Sequence, residues 1–322
     1  MTARLTTTAL RSLAATCAAA CIAAPSFAAA PMAKTPAPGY FRMMLGDVEV
    51  TPLSDGTVDL PVDKLLTQKA EKTTAALAKA HLKAPLETSD NAFLVNTGSK
   101  LILIDTGAGV LFGPTLGKLL PNMKAAGYTP EQVDEVYLTH MHSDHLGGLL
   151  APSKEMAFPN AVVRASKTEA DHWLSQANMD KAPGDGKDTF RNAMAALAPY
   201  VKAGKFKTFE GDAQVSPGIR AQGGHGHTPG HTTFVVESRG RKMVFIGDLI
   251  HVASVQFENP AVAIGFDGDQ KAAAAARKKL FDAAAKDGSI IGGAHLQFPG
   301  LGHLRSEGKG YRFIPVNYTQ MR

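Results

Sequence analysis

The sequence predicts an α/β protein built as a four-layer αββα sandwich, with two mixed sheets face to face and helices outside. Three observations carry this. Strands joined as hairpins give way to strand–helix pairs, and the chain does so twice. Clusters of His and Asp fall at the ends of separate apolar runs, where a sheet can hold them and a loop can expose them. In the 322 residues, 44% are hydrophobic and 20% charged, a globular balance with enough apolar material for a large core.

The elements follow in order. Asp47–Leu53 alternates, with Val48, Val50 and Pro52 on one side, and stops at the turn Ser54-Asp55-Gly56. Residues 66–83 are rich in Ala, Lys and Thr at helical spacing and predict a surface helix, which would also suit a homodimer contact. Ala92–Asn96 and Leu101–Asp105 flank Thr97-Gly98-Ser99-Lys100, a hairpin signal. Leu116–Ala126 predicts a helix stopped by Gly127, and Val133–Leu138 a buried strand. Ala161–Ala165 reads as a strand and Lys167–Ala177 as a helix. Phe206–Phe209, Thr233–Glu237 and Lys242–Ile246 read as strands. Asp269–Ala285 is an Ala-rich helix closed by Asp287-Gly288, and Ser289–Ile291 is a last short strand before His295.

Residues 1–28 have the pattern of a secretory signal peptide. Arg4 and Arg11 are their only charges, Ser12–Ala24 is apolar, and Ser26 and Ala28 stand at −3 and −1 of a small-x-small cleavage site. The apolar run is too short to span a bilayer, which needs ~20 residues. Residues 29–40, with Pro31, Pro36, Pro38 and Gly39, read as a flexible leader, and 41–322 as a single further domain. The expected location is therefore periplasmic or secreted. Cys17 and Cys21 are the chain's 2 cysteines. Cleavage would remove both, leaving neither a disulfide nor a thiolate ligand, so any metal site must use His and carboxylates. The formal charge of +5 comes without a Lys/Arg run, which argues against nucleic acid as a partner.

The 11 histidines carry the chemical information. Strand Val133–Leu138 runs into Thr139-His140-Met141-His142-Ser143-Asp144-His145, followed by Leu146-Gly147-Gly148. Imidazole and carboxylate suit Zn²⁺, Fe or Mn²⁺. Alternation puts His140 and His142 on one side, while Asp144 and His145 turn toward a second point, so the segment can feed two metals. Later, Gly226-His227-Thr228-Pro229-Gly230-His231, Gly247-Asp248 and Gly293-Ala294-His295 offer further ligands beside strands. A carboxylate such as Asp248 can bridge two cations.

These residues resemble the metallo-β-lactamase superfamily over most of the chain beyond the leader. The HxHxDH signature is matched by His140, His142, Asp144 and His145, and the later ligands by His231, Asp248 and His295. The resemblance implies the αββα fold and a dinuclear centre of two divalent ions, zinc first, with Fe, Mn or Co also compatible. It implies that His140, His142 and His231 hold one ion, that Asp144, His145 and His295 hold the other, and that Asp248 bridges. Asp105 of Asp105-Thr106-Gly107 would orient an imidazole from behind. His225 and His227 are read as supporting or loop residues.

Within the superfamily, Asp248 argues against true β-lactamases, and the short stretch after His295 against the helical domain of glyoxalase II. His142 stands where flavodiiron proteins have Glu. Met43–Asp47, Leu53–Pro61 and His295–His303 resemble the methyl parathion hydrolase and lactonase branch. Phe112, Trp173 and Phe190 fall where that branch keeps a substrate pocket. The implied activity is hydrolysis of a lactone, aryl ester or aryl phosphotriester through a hydroxide shared by two metals. Asp144 and Asp248 would be the catalytic carboxylates, Asp248 also passing a proton toward the leaving group. The alternatives are a diiron redox enzyme and a glyoxalase II-like thioesterase.

Overall fold

Alternation at period two decides which faces meet. In the strand Leu86–Asn96, Phe93 and Val95 turn one way while Ala92 and Leu94 turn the other. In Leu101–Ile104, Ile102 and Ile104 oppose Leu101 and Leu103 in the same manner. The computed structural model describes residues 30–184, 186–318 and 321, so the expected signal segment 1–28 lies outside the described residues. Residues 30–36 contain neither helix nor strand, and residues 37–322 make one compact unit.

That unit contains two seven-stranded sheets. The first runs β1 (Met43–Leu45), β2 (Val48–Leu60), β3 (Leu86–Asn96), β4 (Leu101–Ile104), β5 (Glu135–Tyr137), β6 (Val162–Ser166) and β7 (Phe206–Phe209) in spatial order. It begins as antiparallel hairpins and becomes parallel from β4 onward. The second contains β8 (Ala213–Ser216), β9 (Ile219–Gly223), β10 (Thr232–Ser238), β11 (Arg241–Phe245), β12 (Ile290–Gly292), β13 (Leu301–Glu307) and β14 (Gly310–Pro315), again in sequence order across the sheet. Only β11–β12 is parallel there.

Between the sheets, Phe93 packs on Phe245 with centroids 4.8 Å apart, and Tyr137 stacks on Phe234 at 5.2 Å. Helices Leu119–Ala125, Lys167–Trp173 and Gly186–Lys202 cover the outer face of the first sheet. Helix Gln270–Asp287 covers the second through Phe281 and Ala284. It starts on the Asp269 side chain, which accepts the Ala272 N–H, and ends at left-handed Gly288, as its sequence predicts. The four-layer α/β expectation is therefore met.

Several local expectations change. Ser54-Asp55-Gly56 is a bulge inside β2, which continues to Leu60. Asp55 is buried there and accepts the N–H groups of Ala108, Gly117 and Leu119. Residues 66–83 shrink to helix Ala70–Lys79, whose Thr73 and Leu77 are fully buried. Leu77 packs with Val252 and Val255, so one face of this helix belongs to the core. Lys167–Ala177 divides into Lys167–Trp173 and Gln176–Lys181. Gly39 and Tyr40, assigned above to the leader, are tied to β2: Ser54 N–H donates to Gly39 O at 2.8 Å, and Tyr40 bridges Leu53. No helix among the described residues is long and apolar enough to cross a membrane.

Candidate metal centre

Strand ends deliver the site. β4 leads into Asp105, β5 into 139–145, β11 to Asp248 and β12 to His295. Asp105 adopts φ 59°, a left-handed turn that aims its carboxylate back at the next loop. It accepts Thr139 N–H and Thr139 Oγ1–H, both at 2.8 Å, and His145 Nδ1–H at 2.9 Å. These contacts fix the orientation of the His145 ring. His140 Nδ1 lies 3.0 Å from Thr139 Oγ1, and His295 Nδ1 donates to the Ser89 carbonyl at 3.0 Å. Each of these rings is held at one nitrogen and presents the other inward.

Donor atoms of His140, His142, His227 and Asp248 lie within 4.8 Å of one another, and so do those of Asp144, His145, Asp248 and His295. Asp248 belongs to both groups. The residues fit two divalent ions on the chemistry of these donors and on one further observation: His140 Nε2, His145 Nε2 and Asp248 Oδ1 are buried without a hydrogen-bond partner. A cage of imidazole lone pairs and carboxylate oxygens calls for positive charge at its centre.

The electrostatics say the same. Burial pushes His145 down, but Asp248, Asp144 and Asp105 outweigh it and hold this imidazole well above its usual range. His295, opposed by burial but facing Asp248 and Asp144, is raised to about 9. Burial would raise Asp248, yet His145, His295, His251 and His140 hold its carboxyl well below the carboxylate range. His142, buried and beside His227, is lowered to about 3.

The structure brings together six of the seven residues assigned from sequence: His140, His142, Asp144, His145, Asp248 and His295. The seventh is not among them. His231 Nε2 accepts the backbone N–H of Asp248 at 3.0 Å, and its ring packs behind Gly247 and Gly224. His227 takes the place assigned to it. Its Nε2 lies 3.0 Å from His142 Nδ1 and 3.2 Å from Asp248 Oδ2, while its Nδ1–H donates to buried Asp267 at 2.9 Å. The physical reason is the Pro229-Gly230 turn, which sends two imidazoles four residues apart in different directions. Gly226, at φ 131°, lets the loop press on helix Gln270–Asp287, where a Cβ would meet Ala273 N at 2.1 Å.

Three more residues escaped the sequence reading. Glu169 is buried and accepts from Met141 N–H, Trp173 Nε1–H, Thr228 Oγ1–H and Gly230 N–H, tying the two ligand loops together. His251 stacks on His295 and lies 3.1 Å from Asp248 Oδ2. Asp267 is approached at 3.6 Å by Arg277, a fully buried guanidinium. His251 is a single polar residue in an apolar stretch, while Glu169 and Asp267 sit among other polar residues that mark neither of them out, and only folding shows what each touches.

A cavity of about 660 Å³ opens over the cage. Phe112, Leu116, Val58, Leu60 and Phe266 make its apolar wall. Of the three pocket aromatics carried over by resemblance, Phe112 lines it. Trp173 and Phe190 are instead buried against each other, centroids 4.6 Å apart, in the helix-covered core. Trp173 meets His142 edge-on at 5.3 Å, so it supports a cage residue from behind.

Residues 87–295 match the family described as the Metallo-beta-lactamase superfamily. The chain belongs to this superfamily. The solved structure of the hydrolase AbOPH in the beta lactamase superfamily is similar with a TM-score of 0.85 and 39% identity, over 89% of this chain and 100% of that one. AidC, a dizinc quorum-quenching lactonase solved with its product N-hexanoyl-L-homoserine, has a TM-score of 0.79 and 27% identity over 88% of this chain and 99% of its own. Among curated proteins, the N-acyl homoserine lactonase AiiA of Bacillus thuringiensis subsp. kurstaki is 26% identical over 218 residues, 64% of this chain and 77% of its own. This superfamily member is a metal-dependent hydrolase, and its two His/Asp clusters fit a dinuclear site.

Proposed function

We propose that this protein is an exported dizinc lactonase that opens ring esters, with aryl esters and aryl phosphotriesters as secondary substrates. The observation that carries this reading is the pair of four-donor clusters sharing Asp248 beneath a cavity whose wall is apolar. Among the described residues its lining includes no Lys or Arg, which favours uncharged substrates over phosphate or carboxylate anions. The 27% identity to a dizinc lactonase along nearly the whole chain supports the choice of zinc and of lactones.

When bound, two divalent ions supply Lewis-acid polarisation of an ester carbonyl and lower the pKa of water. The chain supplies the rest. Asp105, Asp267 and the Ser89 carbonyl fix the tautomers of His145, His227 and His295. Asp248 balances the positive charge and passes a proton toward the departing ring oxygen. Phe112 and Phe266 shed water from the apolar part of the substrate. Export rests on the composition of residues 1–28.

The test is a substrate panel with protein expressed from residue 29 and loaded with zinc. Hydrolysis of N-hexanoyl homoserine lactone should exceed that of paraoxon and of phenyl acetate, and a chelator should abolish it. A protein with two bound zinc ions that opens no lactone would overturn the reading.

A further inference from the structure

The cavity contains one carboxyl group that the cage does not use. Asp90 sits on β3 opposite Gly56, at the bulge in β2, so no side chain faces it across the strands. It is 2% exposed, and its Oδ2 is buried without a hydrogen-bond partner. It lines the cavity beside Asp144 and His295, and among the described residues no Lys or Arg lines that cavity. Its neighbours are all engaged: the Ser89 carbonyl holds His295, and Asn91 Nδ2 donates to Gly293 O and Leu296 O at 3.2 and 2.7 Å. Nearby Asp55 has its oxygens filled by three backbone N–H groups. β3 therefore anchors the His295 loop on both sides of Asp90, while Asp90, at the lining of the cavity, keeps an Oδ2 without a hydrogen-bond partner.

An unpaired buried polar group is costly, and the cost falls when an incoming ligand supplies the partner. We propose that Asp90 accepts a hydrogen bond from an N–H or O–H group next to the scissile ester, and so selects lactones that carry such a donor on the ring. The inference rests on the lactonase reading and deepens it: the preferred class is an amido- or hydroxy-substituted lactone with an apolar tail, rather than a plain alkyl lactone.

The experiment compares N-hexanoyl homoserine lactone with its N-methyl amide, which keeps ring and tail and loses the N–H, on wild type, Asp90→Val and Asp90→Asn, with zinc per chain measured in each. Wild type should prefer the N–H substrate in kcat/KM by about 10- to 100-fold. Asp90→Val should lose most of that ratio, while Asp90→Asn, which keeps an accepting oxygen, should retain most of it. A wild type that treats both substrates alike overturns the inference and leaves the lactonase reading standing, and this comparison holds even if Asp90→Val does not fold. Undiminished preference in Asp90→Val, or a loss on both substrates that follows zinc content, also overturns it. A wild type that opens neither lactone removes the lactonase reading and this inference with it.

Discussion

His227 and His231 show how far one residue's role depends on direction. Both are buried imidazoles in one short loop. One turns toward Asp248 Oδ2 and His142, the other toward the Asp248 backbone N–H. Replacing His227 by Ala removes a donor from the first cluster. Zinc should fall from two per chain toward one, and lactone turnover should drop about 100-fold or more. His231→Ala keeps both clusters but frees the Asp248 loop, so its zinc affinity should weaken by about 10-fold. Atomic emission on dialysed protein measures both. If His231→Ala empties a site while His227→Ala keeps two ions, the assignment made here is reversed. The sequence marked this loop as ligand-bearing, but not which ring faces inward, because that depends on the path through Pro229-Gly230.

Elements matter through what joins them. Helix Lys167–Trp173 begins at Ser166, whose side chain accepts the Glu169 N–H at 3.1 Å, and this cap places Glu169 under both ligand loops. Its carboxylate takes four hydrogen bonds from three segments. Glu169→Ala would strand buried donors on each, at a cost of roughly 3 kcal/mol or more. Urea unfolding should show this loss, and zinc affinity should fall with it. A midpoint within error of wild type would mean the loops hold their shape unaided. The strands β3, β4, β10 and β11 and helix Gln270–Asp287 were legible because alternation or a cap declares them. Helix Gly186–Lys202 was not, although Phe190, Ala193, Ala196, Leu197 and Tyr200 form its buried stripe. Pro199 inside it and the Gly/Asp-rich run before Thr189 hide the period.

At the scale of the whole molecule, the cage gathers buried histidines of opposite tendency, and stability should depend on pH in both directions once metal is removed. His142 and His231 are lowered to about 3 and His251 to about 4, from 6.5. Groups kept neutral by the fold stabilise fully above pH 6.5, and that stabilisation is lost as pH falls through about 4 for His251 and about 3 for His142 and His231. His295 is raised to about 9, so its contribution is present below pH 6.5 and is lost as pH rises toward 9. Chelated protein should therefore show a Tm dome centred near pH 6.5, and two equivalents of zinc should raise the alkaline limb by replacing the proton as the central charge. Scanning calorimetry across this range checks it. A Tm of chelated protein that is flat between pH 5 and 9 would contradict the electrostatics described here.

The sequence by itself determined the αββα layering, the strand ends that carry chemistry and six of the seven cage residues. The layering and the His140–His145 run are written in local periods and one short motif, whereas Asp248 and His295 are assigned by their place beside strands and by the family resemblance. Only the tertiary structure decided that His227 replaces His231, that Trp173 and Phe190 sit behind the cage, that Asp55 closes a bulge, and that Asp90 lines the cavity with an Oδ2 that has no hydrogen-bond partner. These depend on contacts between segments far apart in the chain, and a side chain's direction there is set by packing that no local pattern encodes.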